Sequence, residues 1–191
     1  MQTLYKKSII SYEEKELYVY GLFMIISYVT FFLVSIFFGM ILNILFSSVI
    51  FYIGFCFIRN FAGGIHANSE IKCNVITTIS IFISELFIKF LIDSDLVVLA
   101  FIMLVVSSIC LSAIKPIATA EKKVSQQERV KFHKTVKALT ILSLIISVIG
   151  LFFNRNNILI SLSVGLSLAS VLLILGKVKC LKNQNNNLCK T

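Results

Sequence analysis

The sequence predicts an all-α fold, a polytopic integral membrane protein of about six transmembrane helices with both termini on the cytoplasmic side. Three observations carry this. Of 191 residues 58% are hydrophobic, and the mean hydropathy is +0.93. No residue from Leu17 to Ile58 carries a formal charge, a run long enough to cross a bilayer core twice at roughly 20 helical residues per crossing. The Lys and Arg residues gather at the ends of apolar segments. With six spans, all of them except Lys89 and Arg155 fall on one side, the bias that marks a cytoplasmic face.

The same distribution disposes of a nucleic-acid reading of the +9 net charge, because the basic residues form no single amphipathic soluble face. No cleavable signal peptide is expected: the first apolar run starts at Leu17 and continues well beyond the short core of such a peptide. Cysteines 56, 73, 110, 180 and 189 form no CxxC pair, so no disulfide framework is expected.

The chain is expected to form a single membrane domain over 1–191. Residues 1–16 mix Lys6, Lys7 and Lys15 with Glu13, Glu14 and Glu16 and suit a short juxtamembrane helix on the membrane surface. Span one is placed at 17–38, with Gly39 and Asn43 at the turn, and span two at 44–58, closed by Arg59. Span three, 75–92, contains Glu85 and Lys89; their spacing, Glu first, predicts a structural helical ion pair with Lys89 reaching outward, the alternative being that they line a peptide path. Asp93 to Asp95 is a tight connection into span four, 96–114. Residues 115–137 form a basic cytoplasmic segment in which Ser125-Gln-Gln-Glu128 reads as a capping box, so a helix should begin near Gln126 and run into span five, 138–153. Asn154 to Asn157 is another tight turn, span six covers 158–175, and a basic tail occupies 177–191.

Chemistry concentrates in residues 59–74, R-N-F-A-G-G-I-H-A-N-S-E-I-K-C-N. If Asn68 or Ser69 caps the third span, Cys73 falls in or near its first turn. Unpaired amides and the helix dipole there favour the thiolate, and Arg59 and Lys72 act in the same direction. His66 precedes Cys73 by seven residues, about 10 Å along one continuous helix, too far for proton transfer. The pair can work only if His66 lies on a loop folding back toward the helix start, and Gly63-Gly64 permits such a loop because glycine accepts positive φ. A Cys–His dyad is thus self-consistent. A zinc site is less well supplied, with only His66, Cys73 and Glu70 at hand where three or four ligands are usual. An aspartyl intramembrane protease is excluded in practice, since Asp93 and Asp95 share one short turn on the opposite side. His133, among Lys131, Lys134 and Lys137, reads as a solvated side chain; Cys56 and Cys110 read as packing residues.

Arg59, Gly64, His66 and Cys73, spaced R-x4-G-x-H-x6-C, resemble the signature of the accessory gene regulator B (AgrB) family. The chain size, the apolar runs and the basic segment near 116–128 are similar too. One difference is Lys123-Val124, where many members carry a Lys-Pro pair. The resemblance implies a thiol protease of the bacterial cytoplasmic membrane, with its active site on the cytoplasmic side, that processes a quorum-sensing propeptide. Cys73 would be the nucleophile and His66 the base, with Arg59 and Gly64 in positioning roles. A thioester acyl-enzyme would be captured by a cysteine or serine of the propeptide, giving a thiolactone or lactone. The resemblance implies no cofactor or metal; the partners implied are the lipid bilayer, a propeptide with an amphipathic helix and an acidic C-terminal stretch, and a second copy of the chain. The residues leave two other readings open. One is a small peptide exporter without covalent catalysis, which should tolerate Cys73→Ser; the other is a membrane partner of a kinase.

Overall fold

Three turns of the same construction join the helices of the described fold in consecutive pairs. The computed structural model describes residues 12–62, 70–114 and 126–182. These contain six α-helices: α1 (Tyr12–Ile41), α2 (Leu45–Ala62), α3 (Glu70–Asp93), α4 (Val97–Ala113), α5 (Gln126–Phe152) and α6 (Asn156–Lys182). No strand occurs among the described residues, and the fold is all-α as expected. By length and composition, four segments are able to cross a membrane: Gly21–Ile41, Asn74–Asp93, Val130–Phe152 and Asn156–Val178. Two apolar helices, Leu45–Phe61 and Val97–Ala113, are shorter. At 1.5 Å per residue they sit near the lower limit of roughly 17 residues for a crossing.

The chain divides into two contact units, 1–34 and 35–191. The described part of the first is the initial stretch of α1, where the Thr30 hydroxyl donates to the Ile26 carbonyl at 2.9 Å. The second unit holds the turns, the core and both ends of the sequence motif.

The three turns share one mechanism. Asn43, Asp95 and Asn154 are the non-glycine residues with positive φ among those described, at 57°, 49° and 54°. In the first turn Asn43 N–H donates to the Met40 carbonyl and Ile44 N–H to that of Gly39. Asp95 and Leu96 repeat the pair on Ile92 and Leu91, as do Asn154 and Arg155 on Leu151 and Gly150. This is the Schellman termination, which satisfies two orphan carbonyls per helix end. Asn and Asp tolerate the left-handed conformation better than other non-glycine residues. The next helix starts at once, with Ser48 N–H on Ile44 and Ala100 N–H on Leu96. Such economy suits a membrane, where backbone groups need internal partners.

The core forms around α6, which packs against α2, α3, α4 and α5. Of its candidate span 61% is buried, against 33% for that of α3 and 28% for that of α5, which makes α6 the central helix. Leu159, Ile160, Leu166 and Leu173 are almost wholly enclosed. Between them sit small residues. Ser161, Ser163 and Ser170 are buried, and each donates to a carbonyl of its own helix, at 2.7 to 2.8 Å. A satisfied serine occupies little volume, so neighbouring helices can come close. The crossing with α2 is close. A Cβ on Gly165 would lie 3.0 Å from the Phe51 carbonyl oxygen, and one on Gly54 would lie 2.9 Å from Leu162 Cδ2.

Helix ends depart from the sequence expectation. α1 is already helical at Tyr12, so 12–16 belong to the same helix as the first span rather than to a separate surface helix; 1–11 lie outside the described residues. α6 runs to Lys182, past the expected end of span six. Charged residues at these ends are good helix formers, and no proline interrupts them. α5 starts at Gln126, where a helix start was expected; the capping box itself lies outside the described residues and side chains.

The expected Glu85–Lys89 ion pair is not formed. Lys89 Nζ instead pairs with Asp93 at 3.0 Å, one turn further toward the helix end. There a flexible cation reaches the interface at less desolvation cost. Glu85 is wholly buried, and its Oε1 accepts a hydrogen bond from Ser35 Oγ at 2.6 Å.

Candidate active site

Phe46, Ile92, Asp95, Asn154 and Arg155 line one shared cavity, so the three tight turns meet at one end of the bundle. The last turn of α2 and the first turn of α3 therefore lie at the opposite end, and the two ends of the R-x4-G-x-H-x6-C motif fall on them. Arg59 is in the last turn of α2. It is half-buried, with its guanidinium 5.4 Å from the centroid of the Phe55 ring, a cation–π contact that orients the planar fork. Phe55 and Ile58 are fully packed beneath it. Cys73 is the fourth residue of α3, which puts its backbone in the region of positive helix potential.

Gly64 and His66 fall outside the described residues, as do the side chains of 62–73. The pairing of His66 with Cys73 therefore rests on the spacing of the motif.

Other residues at this end come from α5. Phe61 of α2 packs on Phe132 with ring centroids 6.0 Å apart, which ties the start of α5 to the end of α2 that leads into the motif. His133 is half-buried with Nδ1 enclosed, and it makes interactions of its own. This corrects the expectation of a solvated side chain. The clue in the sequence was the pair Phe132 and Val136, four apart on one helical face, which carries the adjacent His133 toward the packing surface. Val136 is buried. Lys131, Lys134 and Lys137 are exposed and share a face at i, i+3, i+6 spacing, forming a cationic stripe beside the end that carries the motif. Cys56 and Cys110 are free thiols of intermediate exposure.

Comparison with known families settles the lineage. The sequence profile described as accessory gene regulator B matches residues 1–174. The chain belongs to the AgrB family. Members of that family process autoinducer propeptides at the membrane, and the apolar helices of this chain fit such a membrane protein. Neither the curated proteins nor the solved structures contain a match.

Proposed function

We propose that this AgrB-family protein is a membrane-embedded cysteine endopeptidase that cleaves the C-terminal part of an autoinducer propeptide and promotes its cyclisation. The observation that carries the reading is the chain's own R-x4-G-x-H-x6-C pattern between α2 and α3, in a chain of the AgrB family, with Cys73 in the first turn of a helix. A thiolate is the effective nucleophile, and a helix N-terminus favours it. His66 takes the thiol proton, Cys73 Sγ attacks the scissile carbonyl, and the imidazolium returns the proton to the leaving amine. The acyl group then sits on Cys73 as a thioester. A cysteine thiol of the propeptide gives its proton to His66 and attacks the thioester, forming the thiolactone and releasing the Cys73 thiolate; a serine would form a lactone.

Energetics constrain this sequence. Thioester formation from an amide is uphill, whereas thioester-to-thiolactone exchange is nearly neutral. Removal of the cleaved fragment must then draw the reaction forward. Arg59, oriented by Phe55, holds a carboxylate of the substrate through its fork. Gly64 supplies the backbone freedom that lets His66 fold back. The Lys131, Lys134 and Lys137 stripe attracts an acidic propeptide segment.

The active site is assigned to the cytoplasmic face, with N-in and C-in topology, on the positive-inside bias. The test is propeptide processing in vesicles by the wild type, Cys73→Ala and His66→Ala, read as cleaved fragment and cyclic product. Unchanged cleavage in Cys73→Ala would transfer the reading to a non-covalent exporter.

A further inference from the structure

Glu85 lies well inside the α3 span, is wholly buried, and has no part in the chemistry assigned to Cys73. Eight residues separate it from Asp93 and twelve from Cys73, which places it about 18 Å along the helix from the thiol. Its surroundings are built by the α1–α2 hairpin. Ser35 Oγ donates to Oε1 at 2.6 Å and lies 3.4 Å from the Ser48 carbonyl oxygen. The Ser48 hydroxyl also interacts with the carboxyl, and it lies 3.3 Å from the Ile44 carbonyl oxygen. Oε2 is buried with no hydrogen-bond partner among the described residues.

No countercharge is within reach among the described residues. Lys89, on the same helix, is held by Asp93. Asp, Glu, Lys, Arg and His are absent from 35–58 of α1 and α2, from 96–114 including α4, from 138–154 of α5 and its turn, and from 156–176 of α6. An ionised carboxylate in this place would be both unpaired and short of one hydrogen-bonding partner, a costly state inside a bilayer. The carboxyl must carry its own neutralising cation while the hairpin is closed, and the free Oε2 is where it attaches.

We propose that Glu85, with Ser35 and Ser48, is an exchangeable proton-binding site within the membrane, closed by the α1–α2 hairpin. The neutral acid lets the hairpin rest against α3. Loss of the proton to water leaves a carboxylate that requires hydration, so release goes with opening of the joint between the hairpin and α3. Across that joint Phe38 meets Phe82 of α3 with centroids 4.8 Å apart, while between α1 and α2 themselves a Cβ on Gly39 would collide with the Ser48 side chain. The site gives the membrane's proton gradient a point of action on the helix whose first turn holds Cys73.

The experiment uses the full chain in liposomes and needs no peptidase activity, so its outcome is independent of the proposed function. Dicyclohexylcarbodiimide attacks protonated carboxyls in apolar surroundings, and the adduct is mapped by mass spectrometry. Labelling is expected on the peptide containing Glu85, lost in Glu85→Gln, and progressively suppressed as the pH is raised. In parallel, amide hydrogen exchange across 36–50 should be faster in the wild type than in Glu85→Gln at high pH, and equal in the two at low pH. Comparison at matched pH removes the intrinsic base dependence of exchange. Absence of label at every pH, in protein whose helix content is intact, would overturn the proposal. So would labelling indifferent to pH, which marks a permanently protonated structural acid, and so would protection by Na⁺ at fixed pH, which marks a metal-cation site.

Discussion

Replacing Cys73 by serine preserves the first turn of α3 while removing the thiolate, and the hydroxyl stays protonated at any usable pH. Processing should fall by about 10³ or more, measured as product formed per vesicle-bound enzyme. His66→Gln should fall by about 10²–10⁴. Its residual rate should climb as the pH approaches about 8.5, where an unassisted thiol ionises by itself; a flat residual rate would remove His66 from the role of base. Arg59→Lys keeps the charge but loses the planar stack on Phe55 and should raise KM by up to about tenfold with little change in kcat. At this scale the motif was legible because its members are near one another in sequence and each has distinctive chemistry. The environment of Glu85 was not. Its partner Ser35 is fifty residues away, whereas Lys89, one helical turn along, is a plausible partner from spacing alone. Only the burial of one residue and the proximity of the other to the helix end decide between them.

The helices themselves were legible from uncharged runs, and their turns from Asn43, Asp93 to Asp95 and Asn154. What spacing could not say is why each residue is there. Gly39 reads as a helix breaker, but it lies inside α1, and its lack of a side chain makes room for Ser48. Gly39→Val should therefore destabilise the fold by about 1–3 kcal/mol through overpacking, read as a lower midpoint of denaturant unfolding in detergent. Asn154 takes φ of 54°. A β-branched residue there should cost about 1–3 kcal/mol, whereas Asn154→Gly should be neutral or stabilising; equal losses in both variants would show that the side chain, not the backbone conformation, matters. Helix ends were the least legible feature, because lysine and glutamate continue a helix out of the apolar layer as readily as they mark its boundary.

Among the described residues of the larger unit, 35–191, the two ends of the helix bundle differ. One end carries three two-hydrogen-bond turns, and the other carries the two ends of the motif and the cationic stripe of α5. Family membership accounts for the membrane and the propeptide; the two shorter helices, α2 and α4, still pack on the central α6 and complete the bundle. If the stripe recruits an acidic segment, Lys131→Glu combined with Lys134→Glu should raise KM by about tenfold or more at low salt, and the difference should shrink as ionic strength rises. A penalty independent of salt would point to misfolding of α5 instead. The central claim is the covalent role of Cys73, and trapping the acyl-enzyme tests it most directly. A tagged propeptide is incubated with the protein in vesicles, quenched in acid and resolved on a denaturing gel. The expected result is a hydroxylamine-labile adduct in the wild type that is absent from Cys73→Ala and slow to form in His66→Ala. An adduct that persists in Cys73→Ala, or cleavage that proceeds there undiminished, would contradict the covalent role.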